Sequence, residues 1–211
     1  MNWPAVYPVK FELSSEQLFD LFQVQRVAGK KSVATSSPSV YVYATDEYIK
    51  ATAYSSRLTA ICTVRTTHVP PVEFSIAAKS LHKLLPALRK ACDLPTQVMV
   101  TERYVQFTVM GKVYEYSTPS QRFWAARLPS EEIAPLPCSL NESGIILNPE
   151  HLKLIYDLFS TIYYSKVGKA TFNSAYGIRL MFGSSTDTVR VRNANALGDV
   201  DLELFVHPIQ Q

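Results

Sequence analysis

Three cysteines, seven glycines and four histidines are all that the 211 residues hold of those types. Cys62, Cys92 and Cys138 are odd in number and far apart, with no C-x-x-C spacing. Neither a disulfide framework nor a zinc knuckle is expected from them. His68, His82, His151 and His207 include no pair at H-x-x-x-H or H-E-x-x-H spacing, so no metal is expected. The glycines gather into no G-x-x-x-x-G-K-[ST], G-x-G-x-x-G or G-x-S-x-G, which removes the common phosphate loops and the nucleophile elbow. The adjacent acids Asp46 with Glu47, and Glu131 with Glu132, read as loop or surface residues. No catalytic residue and no cofactor is assigned, and a binding protein is expected rather than an enzyme.

Long apolar runs are lacking too. None nears the roughly 20 residues that a membrane helix requires. The N-terminus shows no basic segment leading into an apolar stretch and cleavage site. A cytoplasmic protein without a membrane partner is the expectation. Hydrophobic residues at 47% against charged residues at 18% are enough for a folded core and too apolar for a disordered chain. No charge sign dominates, the net being +3. Residues 1–133 carry 15 Lys and Arg against 11 Asp and Glu, whereas residues 134–211 carry 6 against 7. That bias is compatible with a polyanion beside the N-terminal two-thirds.

What the chain does have is an internal repeat. KFELSSEQLFDLF from Lys10, EFSIAAKSLHKLL from Glu73 and GIILNPEHLKLIY from Gly144 align at offsets of 63 and 71 residues. Phe11, Phe74 and Ile145 coincide, as do Leu13, Ile76 and Leu147. Further on, Leu18, Leu81 and Leu152 match, then Leu21, Leu84 and Ile155, then Phe22, Leu85 and Tyr156. Such self-similarity marks a recurring supersecondary unit.

Each segment opens with a strand of period 2 and passes at once into a helix of period 3.6. Ser14 with Gln17 forms a capping-box pair, and Asn148 before Pro149 places a cap ahead of a first-turn proline. The second helix has Ala77 at the cap position and so lacks this signal. Runs rich in Val, Tyr, Phe and Thr follow each helix, which predicts strands near 40–43, 48–54, 58–65, 97–101, 104–110, 113–116, 123–127, 170–173, 177–182, 188–192 and 201–206. The fold class expected is α+β: three β-α-β-β-β units, about 9–68, 72–128 and the third within 134–211, with helices covering antiparallel sheets. The first two units are expected to merge into a domain over 1–133, leaving 134–211 as half of another. Ser130 to Asn141, holding Pro135 and Pro137, reads as the connector.

The second helix carries the strongest binding signal. Leu81, Leu84, Leu85 and Leu88 make an apolar stripe, with Lys79, Lys83 and Lys90 opposite, flanked by His82 and Arg89. No acid lies between Lys79 and Ala91. Such a face suits a phosphate backbone contacted without sequence readout, while the plainer reading is the ordinary solvated face of a surface helix. Lys30 and Lys31 beside Gly29 are weaker candidates of the same kind. In the third helix Leu152, Ile155, Tyr156, Phe159 and Tyr163 predict a broad apolar stripe, with Lys153 off it. Tyr41, Tyr43, Tyr48 and Tyr54 read as sheet packing or, alternatively, as a stacking platform for single strands.

The stretches VEFSIAAKSLHKLLPALRK and TQVMVTERYVQFTVMGKVYEYSTPSQRFWAARLP, with GIRLMFGSSTDTVRVRNAN in the third segment, give the sequence a resemblance to the DNA sliding clamps, the polymerase III beta-subunit type of bacteria and phages. The resemblance lies in apolar positions and lengths over nearly the whole chain. It implies a DNA-clamp-like fold and a processivity or tethering factor that holds partner proteins on duplex DNA. Lys79, Lys83, Arg89 and Lys90, with Lys30, Lys31 and Lys153, would be the DNA contacts. The implied partners are double-stranded DNA, other copies of the chain in a possible ring, and a DNA polymerase or other clamp-binding proteins. The alternative is a clamp-fold adaptor or regulator in replication, repair or transcription that does not encircle DNA. Clamp domains hold two units each, whereas this sequence shows three units in all.

Overall fold

The computed structural model describes residues 7–28, 38–55, 58–67, 69–118, 149–167, 178–182, 189–193 and 199–206. Along the chain run β1 (Val9–Ser14), α1 (Ser15–Leu21), β2 (Ser39–Ala44), β3 (Tyr48–Tyr54), β4 (Leu58–Arg65), β5 (Val72–Ala77) and α2 (Leu81–Ala91). Then come β6 (Pro95–Val100), β7 (Tyr104–Val109), β8 (Lys112–Ser117), α3 (Pro149–Val167), β9 (Ile178–Phe182), β10 (Val189–Asn193) and β11 (Val200–Val206). The fold is α+β, with antiparallel sheets and short helices. The strands expected near 123–127 and 170–173, the connector 130–141 and the opening of the third segment at 144–148 lie outside the described residues.

Strand exchange organises the first 118 residues. β1 leaves its own segment and pairs with β6, Phe11 opposite Val98, in a sheet ordered β1-β6-β7-β8. β5 does the converse and pairs with β2, Phe74 opposite Val42. The second sheet runs β5-β2-β3-β4-β11-β10-β9, so the last segment continues the sheet of the first. Its junction is a seven-residue ladder from Val64 opposite Val200 to Leu58 opposite Val206.

The period-2 pattern sets which face is buried. Val40, Val42 and Ala44 share a face with Ile49, Ala51, Ala53, Ala60, Cys62 and Val64, all at most 2% exposed. Their small side chains admit the chain after α1, a 3-10 turn over Phe22–Arg26 that packs on β2, β3 and β4. The first helix is therefore shorter than its sequence pattern suggests, passing into the tighter turn at Phe22. Phe22, Phe74, Phe107 and Tyr116 form one aromatic cluster centred on Phe107, with ring centroids 5.7, 6.4 and 6.1 Å from it. That cluster joins the two sheets.

The capping box at α1 is formed: the Gln17 backbone N–H donates to Ser14 Oγ at 3.1 Å, and the Ser14 backbone N–H donates to Gln17 Oε1 at 3.2 Å. The α3 stripe differs from expectation. Its buried residues are Ile155, Leu158, Phe159 and Ile162, which face the Phe22–Arg26 turn and β11, while Leu152 is 51% exposed and Tyr156 57%. The side chain of Tyr163 lies outside the described residues. The helix rotates its apolar side toward the sheet it meets, and a residue matched only by repeat register is left outside.

Candidate nucleic-acid interface

The basic helix is held at its C-terminal end by the first helix. α1 begins where α2 ends: Ser15 N–H donates to Leu94 O at 2.9 Å and Glu16 N–H to Cys92 O at 2.8 Å. Orphan donors of one helix thus meet carbonyls beyond the other, an arrangement that also suits the two dipoles. Ser15 Oγ adds a 2.8 Å bond to Leu94 O and a buried 2.7 Å contact with Thr96 Oγ1. Nothing in the one-dimensional pattern points to this junction, because its partners are some 80 residues apart.

Leu81, Leu84, Leu88 and Ala91 are buried, the three leucines fully so. Leu85, expected in the stripe, is only half-buried. Burial of each leucine stabilises the helix by roughly 1.5–3 kcal/mol and fixes its rotation. That rotation turns Lys79, His82, Lys83, Pro86, Arg89 and Lys90 to solvent, all exposed. The helix opens through a 3-10 turn, Ala78–Ser80, without a side-chain cap, and Ala78 N–H donates to Pro38 O at 2.8 Å. His82 Nδ1 contacts Lys79 O within the first turn. Pro86 sits on the wet side, where the carbonyl freed by its missing N–H is reached by water.

Lys79, Lys83, Arg89 and Lys90 have no carboxylate partner among the described residues. The contrast with β10 is direct. Arg190 meets Glu203 across to β11 at 2.5 Å, and Arg192 meets Asp201 at 2.8 Å. The hydrogen bond that Arg192 donates to Asp201 raises its pKa further, against a smaller loss from burial. Charge on β10 is consumed inside the sheet, while charge on α2 stays available. Lys153 is exposed but stands on a different helix, α3. Lys30 and Lys31 lie outside the described residues.

The tyrosines pair with each other on the outer face of β2 and β3. Tyr41 and Tyr54 rings are 5.8 Å apart, Tyr43 and Tyr48 are 6.3 Å apart, and Lys50 lies over Tyr48. Among the described residues no group of three or more His, Cys, Asp or Glu is placed to hold a metal ion. No helix among them is long and apolar enough to cross a membrane.

No protein-family model matches the chain, and no curated protein does either. Solved structures do match. A DNA polymerase III subunit beta sliding clamp from Bartonella birtlesii LL-WM9 superposes with TM-score 0.65 at 10% identity, over 96% of this chain and 65% of that one. A DNA polymerase sliding clamp from Pseudomonas aeruginosa gives 0.63 at 11% identity, over 100% of this chain and 69% of the clamp. The beta subunit of the Streptococcus pyogenes polymerase gives 0.61 at 11%, covering 96% and 65%. The chain spans about two-thirds of the length of these structures. At such identities the likeness is one of fold: the chain has the architecture of the polymerase III beta sliding clamps.

Proposed function

We propose that this chain is a non-enzymatic, clamp-fold adaptor that holds partner proteins in DNA replication, repair or transcription without encircling DNA by itself. In this reading the chain is three β-α-β-β-β units. Residues 1–133 form a two-unit domain and residues 134–211 half of another. The observation that carries it is a clamp fold whose sheets end openly. β8 and β9 are terminal strands, with no neighbour beyond them among the described residues. Open edges and exposed apolar side chains are suited to binding other proteins. Its setting would be the cytoplasm, and its partners other copies of itself and clamp-binding proteins such as a polymerase.

A second reading is favoured by one observation, the cations of α2 that meet no carboxylate among the described residues. Lys79, Lys83, Arg89 and Lys90 would touch the phosphates of duplex DNA loosely and without regard to sequence, as a sliding tether requires. Lys30, Lys31 and Lys153 would assist. Retention on nicked circular plasmid against the same plasmid linearised separates the two. An adaptor dissociates from both at one rate. Selective loss from the linear form, by running off an end, would overturn the adaptor reading in favour of the ring.

A further inference from the structure

Within the basic face of α2 one side chain differs in kind. Lys79, His82, Lys83, Arg89 and Lys90 are all exposed, and of these only histidine belongs to a type that gains or loses its charge between about pH 5 and 8. The ring of His82 is also oriented. Its Nδ1 contacts Lys79 O, and a carbonyl oxygen can only accept, so Nδ1 carries the hydrogen. In the neutral ring the second nitrogen, Nε2, is then a bare acceptor. Such an atom offers nothing to a phosphate oxygen, which accepts as well. One proton on Nε2 turns it into a charged donor without turning the ring.

We infer that His82 is a proton-gated phosphate contact, which adds one donor to the α2 face at mildly acidic pH and withdraws it at alkaline pH; the inference rests on the reading in which α2 meets duplex DNA. The surroundings suit that task. On the helix its charged neighbours are Lys79 and Lys83, so the protonated ring extends an existing cationic face. The 3-10 turn Phe22–Arg26 packs on α2 and adds the exposed Arg26, whose Nε donates to Gln23 Oε1 at 3.0 Å. α1 brings two acids, and neither lies on the outward face beside His82. Asp20 is fully buried, and Glu16 is at the far end of α2, where its N–H donates to Cys92 O; Asp93 follows that same end. From β7 the residues turned inward are Val105, Phe107 and Val109, none of which titrates. Among the described residues no carboxylate pairs with His82, which leaves its charge for a phosphate.

Anisotropy titrations of a mixed-sequence DNA duplex with the full chain test it, run across salt concentrations at about pH 5.5 and about pH 8. One added phosphate contact steepens the log–log salt slope by about 0.9 and tightens binding about fivefold near 0.15 M salt. The parent should show both changes on going from the higher pH to the lower. His82→Gln, uncharged at either pH, should bind at both as the parent does near pH 8. His82→Arg, charged at either pH, should bind at both as the parent does near pH 5.5. That second variant must gain affinity at the higher pH, which a chain damaged by substitution would not do. A pH step of undiminished size in His82→Gln overturns the inference and moves the proton to another of the four histidines. Salt-dependent binding that is equal at the two pH values also overturns it, while leaving α2 as a DNA face. Binding that is absent at both pH values overturns the DNA reading of α2 and this inference with it.

Discussion

Gln17 Nε2 donates to Asp199 Oδ2 at 2.6 Å, tying the first turn of α1 to the residue that precedes β11. The other end of the same amide serves the capping box with Ser14. Asp199 is held from a second side, because Arg65 N–H donates to its carbonyl at 2.9 Å. One side chain therefore stabilises a helix start and the β4–β11 junction together. Gln17→Ala should cost about 1–3 kcal/mol in urea unfolding, for a lost cap and a lost bond to a charged group. Gln17→Glu keeps the cap acceptor but sets a carboxylate against Asp199. Its effect should appear as faster hydrogen exchange in β11 with α1 unchanged; equal loosening of both would show that the cap alone mattered.

Replacing Lys79, Lys83 and Lys90 together with alanine should leave stability within about 0.5 kcal/mol, because all three are exposed and have no carboxylate partner among the described residues. Any affinity for duplex DNA should fall equally for all sequences. Its salt dependence should flatten by about 0.9 in the log–log slope for each phosphate contact removed. An unchanged slope in anisotropy titrations would mean that this face meets only water.

Phe107 gathers the rings of Phe22, Phe74 and Tyr116 from three other elements and is itself 0% exposed. Phe107→Ala should cost about 3–5 kcal/mol, through lost burial and a cavity that rigid sheets cannot collapse. Phe107→Leu should recover part of this in the same thermal unfolding assay. A loss near 1 kcal/mol would show that the two sheets are not coupled through this ring.

What could be read in advance, and what could not, follows from the range of each signal. Ser14 and Gln17 are three residues apart, so their cap is written in the sequence. The stripe of Leu81, Leu84 and Leu88 is local in the same way. Alternation in β1 or β5 says which side chains turn inward but not which strand lies alongside. The exchange of β1 onto β6 and β5 onto β2 is invisible for that reason, as is the ladder from β4 to β11. Leu152 misleads because it has the repeat register of a core residue without the neighbour that makes one. The cations of α2 were visible, but whether a carboxylate would come to meet them was a tertiary matter, as Arg190 and Glu203 illustrate.

Tyr116 supplies a pH-dependent test. Its hydroxyl is buried with no hydrogen-bond partner among the described residues, against the Phe107 ring. Burial first, and then the neighbouring phenol of Tyr114, push its pKa from 10.0 up to about 12. A folded-state pKa above the unfolded value contributes stability that is fully present below pH 10 and is lost as pH rises toward 12. Tyr116→Phe removes both the unpaired hydroxyl and the late ionisation. At neutral pH the variant should be as stable as the parent or more so by about 1 kcal/mol, since a buried hydroxyl without a partner is a net cost. Between pH 10 and 12 its stability should decline less steeply than the parent's in urea titrations at matched ionic strength. The absorbance titration of the phenols should lose one late-ionising group. Destabilisation at neutral pH beyond about 1 kcal/mol would show that the hydroxyl holds a bond of its own, and with it the orientation of β8.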